Sequence, residues 1–162
     1  MVSWIGYDSP GWTGAVSGGH ADDGKDDLQD FQAGLRTTHR GAPSNNTLIG
    51  HSYGSTVVGA AARNDSGAYA DNLVLVGSPG VGSELTDLKF DGGMKDIHVV
   101  MSENDWVRDS ESYQTHYFDK QEDPRATHVQ TDPETEHDGY FNDSETPEME
   151  HIGKVVAGTR RD

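Results

Sequence analysis

The sequence predicts an α/β fold, a mostly parallel sheet with flanking helices, and three observations predict it. Leu73-Val74-Leu75-Val76 is a continuous apolar run and Ile97 to Met101 is nearly one, the pattern of strands covered on both faces. Around them lie segments whose apolar residues recur at helical spacing. Finally, the brief apolar run Thr47-Leu48-Ile49 passes through a glycine-flanked serine directly into a stretch of small residues, a strand-turn-helix junction. Strands buried on both faces favour a parallel sheet, because the crossovers between parallel strands lay helices over its faces.

Taken in order, Val2 to Tyr7 is a short apolar run closed by Asp8-Ser9-Pro10-Gly11, which is turn chemistry, so a strand ending in a loop is expected. From about Ala21 to Thr38, Leu28, Phe31 and Leu35 recur at helical spacing among charged residues, an amphipathic helix weakened by Gly24 and Gly34. Thr47 to Ile49 is a strand running into Gly50, and Ser55 to Arg63 is a helix whose Val and Ala content is compact enough to lie under a sheet. Between the two buried strands, Gly77-Ser78-Pro79-Gly80-Val81-Gly82 is a loop whose scattered glycines do not make a nucleotide-binding pattern. After Met101 the chain is polar and irregular to about Pro147, with Ala126 to Gln130 the segment best suited to a short strand. Glu148 to Val156 closes with a helix whose apolar face is Ile152, Val155 and Val156. No internal repeat or sharp composition shift divides the chain, so residues 1–162 read as one domain.

Charge narrows the partners. With 28 Asp and Glu against 12 Lys and Arg, the net charge of -16 repels nucleic-acid phosphates and anionic membranes, so neither is an expected partner. Asp outnumbers Glu and Lys is scarce, which suits a surface that stays solvated in concentrated salt as well as a mildly acidic mesophilic one. The absence of Cys removes disulfides, thiolate nucleophiles and Cys-ligated zinc together. No stretch approaches the roughly 20 apolar residues that cross a bilayer, and the first residues lack the basic start of a signal peptide. A cytoplasmic location is the expectation, subject to any address carried upstream.

The strand-turn-helix junction carries the chemistry. Gly50-His51-Ser52-Tyr53-Gly54 is a Gly-x-Ser-x-Gly match, but with 20 Gly and 13 Ser in 162 residues chance supplies one roughly one time in five. Its setting is what makes it informative: it follows an apolar strand and precedes a small-residue helix, as a nucleophile elbow requires. The turn is tight, so the residues flanking the serine are expected to lack bulk, and Gly50 and Gly54 meet that need. Ser52 Oγ would then stand at the carboxyl edge of the sheet beside a helix N-terminus, with the backbone N–H of Tyr53 as an oxyanion donor.

A serine at its free pKa needs a histidine base and an acid to orient it. In this architecture the chain order is Ser, then Asp or Glu, then His. The histidines within or after the second buried strand are His98, His116, His128, His137 and His151. His98 lies inside that strand, while His128 falls in a strand and His151 in a helix, where a half-buried structural histidine is the ordinary reading. His137 occupies the polar loop Thr135-Glu136-His137-Asp138-Gly139-Tyr140, late enough to hang over the nucleophile, and is the expected base. Asp105, in Ser102-Glu103-Asn104-Asp105, follows the Ile97 to Met101 strand and so falls at the same sheet edge as Ser52; Glu103 and Asp109 are its competitors.

Together these residues resemble an actinobacterial α/β-hydrolase family of unknown function. The resemblance rests on Trp4-Ile5-Gly6-Tyr7-Asp8-Ser9-Pro10, on Gly50-His51-Ser52-Tyr53-Gly54-Ser55-Thr56-Val57-Val58-Gly59, and on Val76-Gly77-Ser78-Pro79-Gly80-Val81-Gly82. It implies an α/β-hydrolase fold and a triad of the motif serine, an aspartate after the following strands and a late His-x-x-Tyr histidine, which here fall on Ser52, Asp105 and His137 of His137-Asp138-Gly139-Tyr140. It also implies strands upstream of the Trp-x-Gly-Tyr-Asp segment, one of them lying between the strand of Val2 to Tyr7 and the strand entering Ser52 and bringing the second oxyanion N–H. This chain begins after them and is N-terminally shortened relative to that pattern. The two strands are then expected to pair directly or to leave an unpaired edge that invites self-association. Loss of one oxyanion donor costs about 100- to 1000-fold in turnover, so weak activity is expected.

The expected function is a carboxylesterase- or lipase-like serine hydrolase acting on a small-molecule ester, with no cofactor and no metal. The alternative is a truncated or degenerate hydrolase fold acting as a non-catalytic binding or assembly module. A divalent cation held by the acidic stretch Asp132 to Asp138 is a third reading, disfavoured because the spacing fits no known cage. Trp106, Tyr113, Tyr117 and Phe118 are candidates for a substrate cleft, with core or rim packing the preferred reading.

Overall fold

The computed structural model describes residues 1–7, 19–42, 44–90, 96–110 and 125–159 of the chain. Four strands, β1 (Thr47–His51), β2 (Asn72–Val76), β3 (Asp96–Val100) and β4 (Ala126–Val129), form one sheet in the order β1-β2-β3-β4. Every pairing is parallel. The helices are α1 (Gly19–Thr38), α2 (Tyr53–Arg63) and α3 (Pro147–Val156).

Successive strand side chains point to opposite faces, so an apolar strand must be covered twice. Leu73, Leu75, Ile97 and Val99 pack with Leu28 of α1 and with Val57, Val58, Ala60 and Ala61 of α2. Val74, Val76 and Val100 pack on the other face with Ile152 and Val155 of α3 and with Tyr140. The small residues of α2 let it come close: a Cβ on Gly59 would stand 2.5 Å from Val81 Cβ and 2.6 Å from its carbonyl oxygen. At the opposite end, Arg36 closes α1 onto the strands, its guanidinium 2.6 Å from Asp71 Oδ2, which also accepts from Asn46 N at 2.8 Å.

Register sets up the site. His51 lies opposite Val76, and Val76 opposite Val100. The ladder continues one step beyond, with Ser52 N donating to the Val76 carbonyl and Gly77 N to the Val100 carbonyl, both at 2.9 Å. The chain therefore leaves β1, β2 and β3 side by side at one carboxyl edge.

One expected strand is absent. Residues 1–7 are irregular and pair with no strand; Trp4 folds back to stack on Tyr7 with ring centroids 6.0 Å apart, and both rings pack against the α1–α2 side of the core. An apolar run becomes a strand only beside a partner edge, and here its aromatics are used for packing instead. A Cβ on Gly6 would lie 2.4 Å from the Trp4 ring, so the fold-back needs that glycine. The expected turn at residues 8–11 lies outside the described residues, as do His116, Tyr113, Tyr117 and Phe118. Among the described residues, no helix is long and apolar enough to cross a membrane.

Candidate active site

Ser52 joins β1 to α2 with φ 52° and ψ −129°, the one non-glycine residue at positive φ among those described. Such a backbone costs about 1–3 kcal/mol and persists only where its surroundings enforce it. The Ser52 carbonyl accepts from Ser55 N at 3.0 Å and from the Ser55 hydroxyl at 2.6 Å. That hydroxyl also shares a 2.6 Å hydrogen bond with buried Ser78, whose Oγ accepts from Gly80 N at 3.1 Å. The loop after β2 thus braces the turn after β1.

The two motif glycines differ. A Cβ on Gly50 would lie 2.7 Å from Ser55 Cα and 2.8 Å from Ser55 N, so the turn closes only over a bare backbone. At Gly54 nothing lies within 4 Å of such a Cβ. The expectation that both positions must lack bulk is corrected: the constraint is at Gly50 alone, because only there does the elbow fold onto its own helix.

Ser52, His137 and Asp105 meet at the carboxyl edge of the sheet. His137 Nε2 is 2.8 Å from Ser52 Oγ, and His137 Nδ1 is 2.9 and 3.0 Å from the two oxygens of Asp105. An ionised carboxylate can only accept, so Nδ1 carries the proton of the neutral ring and Nε2 is left to accept from the serine hydroxyl. His137 and Asp105 are both buried, whereas Glu103 and Asp109 are exposed. Asp105 also caps the 3₁₀ turn Trp106–Asp109, accepting from Val107 N at 2.8 Å, and accepts from the Tyr140 hydroxyl at 2.7 Å.

The loop bearing His137 is tied from below. Glu148, fully buried in the first turn of α3, accepts from Asp132 N and from the Thr135 hydroxyl, each at 2.9 Å. The Ser102 hydroxyl, just past β3, reaches the Asp132 carbonyl at 3.0 Å. From β1, His51 Nε2 donates to the His137 carbonyl at 2.7 Å, and its ring lies 5.0 Å from the His137 ring, centre to centre. Burial holds the His51 pKa below its ordinary value, outweighing that hydrogen bond.

Beside His137 opens a cleft of about 370 Å³ lined by Asn104, Trp106, Glu136, His137 and Asp138. Trp106 is 48% exposed, its ring 5.0 Å from that of His137, so it walls the cleft and is not part of the core. Tyr53, whose N–H opens α2 and has no acceptor inside the helix, turns its ring into the core.

The remaining described histidines lie elsewhere. His98 is fully buried in β3 with Nδ1 3.1 Å from His151 Nε2, and His128 is exposed, not half-buried, because β4 shows that side to solvent. Among the described residues no group of three or more His, Asp or Glu is placed to hold a metal ion. Within 132–138, Asp132 Oδ1 instead accepts from Glu134 N at 2.9 Å, a local turn.

The sequence profile of a family described as alpha/beta hydrolase matches residues 1–115, from the N-terminus past Ser52 and Asp105. The chain belongs to the alpha/beta hydrolase family. An uncharacterized protein of Mycobacterium bovis is 38% identical to this hydrolase-family chain over 86 residues, 52% of this chain and 31% of that protein. An uncharacterized protein of Mycobacterium tuberculosis is 37% identical over 104 residues, 57% of this chain and 15% of that protein. The chain thus matches well under half of the length of these relatives. No solved structure gives a significant match.

The reading of the sequence gave no role to Ser55, Ser78, Ser102, Tyr140 or Glu148, nor to Gly77, where a Cβ would stand 2.8 Å from Asp105 Oδ2. Tyr140 left a trace as the fourth residue of the His-x-x-Tyr pattern, and Ser55, Gly77 and Ser78 as members of the motifs that carry the resemblance, with no role attached to them.

Proposed function

We propose that this chain is a serine-dependent carboxylic ester hydrolase in which Ser52 is the nucleophile, His137 the general base and acid, and Asp105 the residue that orients and balances the imidazolium. The observation that carries the reading is the continuous hydrogen-bonded line from Ser52 Oγ through both ring nitrogens of His137 to a buried Asp105 carboxylate. Family membership supports hydrolysis in general, and the Ser52–His137–Asp105 line supports a serine-dependent route to it; an ester is the acyl substrate that asks least of the oxyanion site.

In this mechanism Ser52 Oγ attacks the ester carbonyl carbon as its proton passes to His137 Nε2. The carbonyl oxygen takes the negative charge, facing the Tyr53 N–H at the start of α2. Collapse breaks the carbon–oxygen bond to the alcohol, which leaves with the proton from Nε2 and gives an acyl-serine. Water, deprotonated at the same nitrogen, then releases the acid and restores Ser52. The cleft walled by Trp106 lies against His137, where the departing alcohol must be, so that ring is placed to contact the alcohol side of the ester.

The test is hydrolysis of short-chain p-nitrophenyl esters by the wild type and Ser52→Ala. A rate that falls to background in the variant is expected, and equal rates would overturn the reading. The competing reading, a non-catalytic assembly module, draws on β1 standing at the edge of the sheet among the described residues. It predicts association in sedimentation and no Ser52-dependent turnover.

A further inference from the structure

Tyr140 touches this site twice, its ring edge-on to that of His51 with centroids 6.0 Å apart and its hydroxyl bonded to Asp105. The side chain is 1% exposed, and its oxygen lies between two groups of the segment leaving β3: it accepts from Ser102 N at 2.9 Å and donates to Asp105 Oδ2 at 2.7 Å. Oδ2 is the oxygen nearer His137 Nδ1. Ser102 and Asp105 are three residues apart, as are His137 and Tyr140, so one phenol cross-links the two segments that carry the acid and the base.

We propose that Tyr140 is a positioning residue of the active site, a fourth member of the hydrogen-bonded line that acts through Asp105. This rests on the reading of Ser52, His137 and Asp105 given above. Among the described residues two donors other than the imidazole reach Asp105: Val107 N fixes Oδ1 and the Tyr140 hydroxyl fixes Oδ2, which holds the carboxylate plane toward Nδ1. The phenol also spreads the carboxylate charge. Being a neutral donor, it tempers how strongly Asp105 holds the imidazolium, so His137 gives its proton to the departing alcohol more readily. The phenol stays protonated in this role, because burial beside Asp105, with Glu148 also nearby, pushes its pKa well above the ordinary tyrosine value.

The test uses two variants and a readout independent of turnover. Tyr140→Phe removes the donor, and 3-fluorotyrosine installed at position 140 strengthens it while keeping the ring. The His137 ring nitrogens are titrated by ¹⁵N NMR in the full chain, each variant first checked for wild-type circular dichroism. The midpoint is expected to rise by about half a pH unit in Tyr140→Phe and to fall in the fluorotyrosine protein. With p-nitrophenyl acetate, kcat is expected to drop about 10-fold in Tyr140→Phe with KM little changed, as for a misaligned base. A midpoint that stays put in both proteins would overturn the proposal, as would equal movement in one direction. If Tyr140→Phe does not fold, the fluorotyrosine protein alone decides, through its downward movement or lack of it. Absence of any Ser52-dependent hydrolysis would sink the esterase reading and leave the NMR outcome to judge Tyr140 separately.

Discussion

Gly77 and Asp105 approach so closely that a Cβ on Gly77 would stand 2.8 Å from Asp105 Oδ2, and 3.1 Å from both Cε1 and Nδ1 of His137. Gly77 leaves β2 at φ +52°, a conformation that already favours glycine. Gly77→Ala therefore meets two penalties: about 1–2 kcal/mol for the left-handed backbone and displacement of the hydrogen-bonded Asp105–His137 pair. A misplacement on the order of 1 Å costs roughly 100-fold in rate. Ester hydrolysis is expected to fall by about that factor, well beyond what a lowered denaturation midpoint explains. Full activity in a merely destabilised variant would show that the Asp105–His137 pair does not depend on this approach.

The two glycines around Ser52 are expected to respond in opposite directions. Gly50→Ala drives a methyl into the backbone of Ser55, and overpacking of this kind costs about 1–3 kcal/mol. Gly54→Ala places its methyl in open space within α2, where alanine is favoured over glycine by about 0.5–1 kcal/mol. Urea denaturation of the two variants checks this, and equal destabilisation would contradict the geometry of the elbow.

How far the sequence disclosed this arrangement follows from what each feature depends on. The strands β2 and β3 were legible because apolar runs covered on both faces have little other use, and the elbow because its strand and helix are local. Residues 2–7 look like a strand by composition, but a strand depends on an edge to pair with, and that is a property of the assembled sheet. Chain order and loop position singled out Ser52, Asp105 and His137, which the structure brings within hydrogen-bonding reach of one another. Gly77 was not singled out, since its neighbours Asp105 and His137 come from distant parts of the chain, and a glycine in a loop usually reports only a turn. Glu148 was one carboxylate among 28 acidic residues, and only its burial singles it out.

His51 supplies a pH dependence. Burial lowers its pKa below the ordinary histidine value of about 6.5, so the unfolded chain binds this proton more readily than the folded one. Stability should therefore rise with pH through the region below about 6.5 and be lost as pH falls through it. The groups facing His51 are His137, Asp105 and Asp138, with the rings of Tyr140 and Phe141 against its edge. His51→Gln can still donate to the His137 carbonyl but does not titrate. Its loss of stability between pH 7.5 and 5.5, measured by urea unfolding, is expected to be smaller than that of the wild type; an equal or larger loss would contradict this assignment.

The most direct test of the central claim is covalent labelling by a fluorophosphonate probe read by intact-protein and peptide mass. Only a serine whose proton His137 can accept reacts readily with such a probe. One adduct per chain, located on Ser52 and abolished in both Ser52→Ala and His137→Ala, is the predicted result. A folded wild-type chain that takes no label, or labels equally after Ser52→Ala, would contradict it.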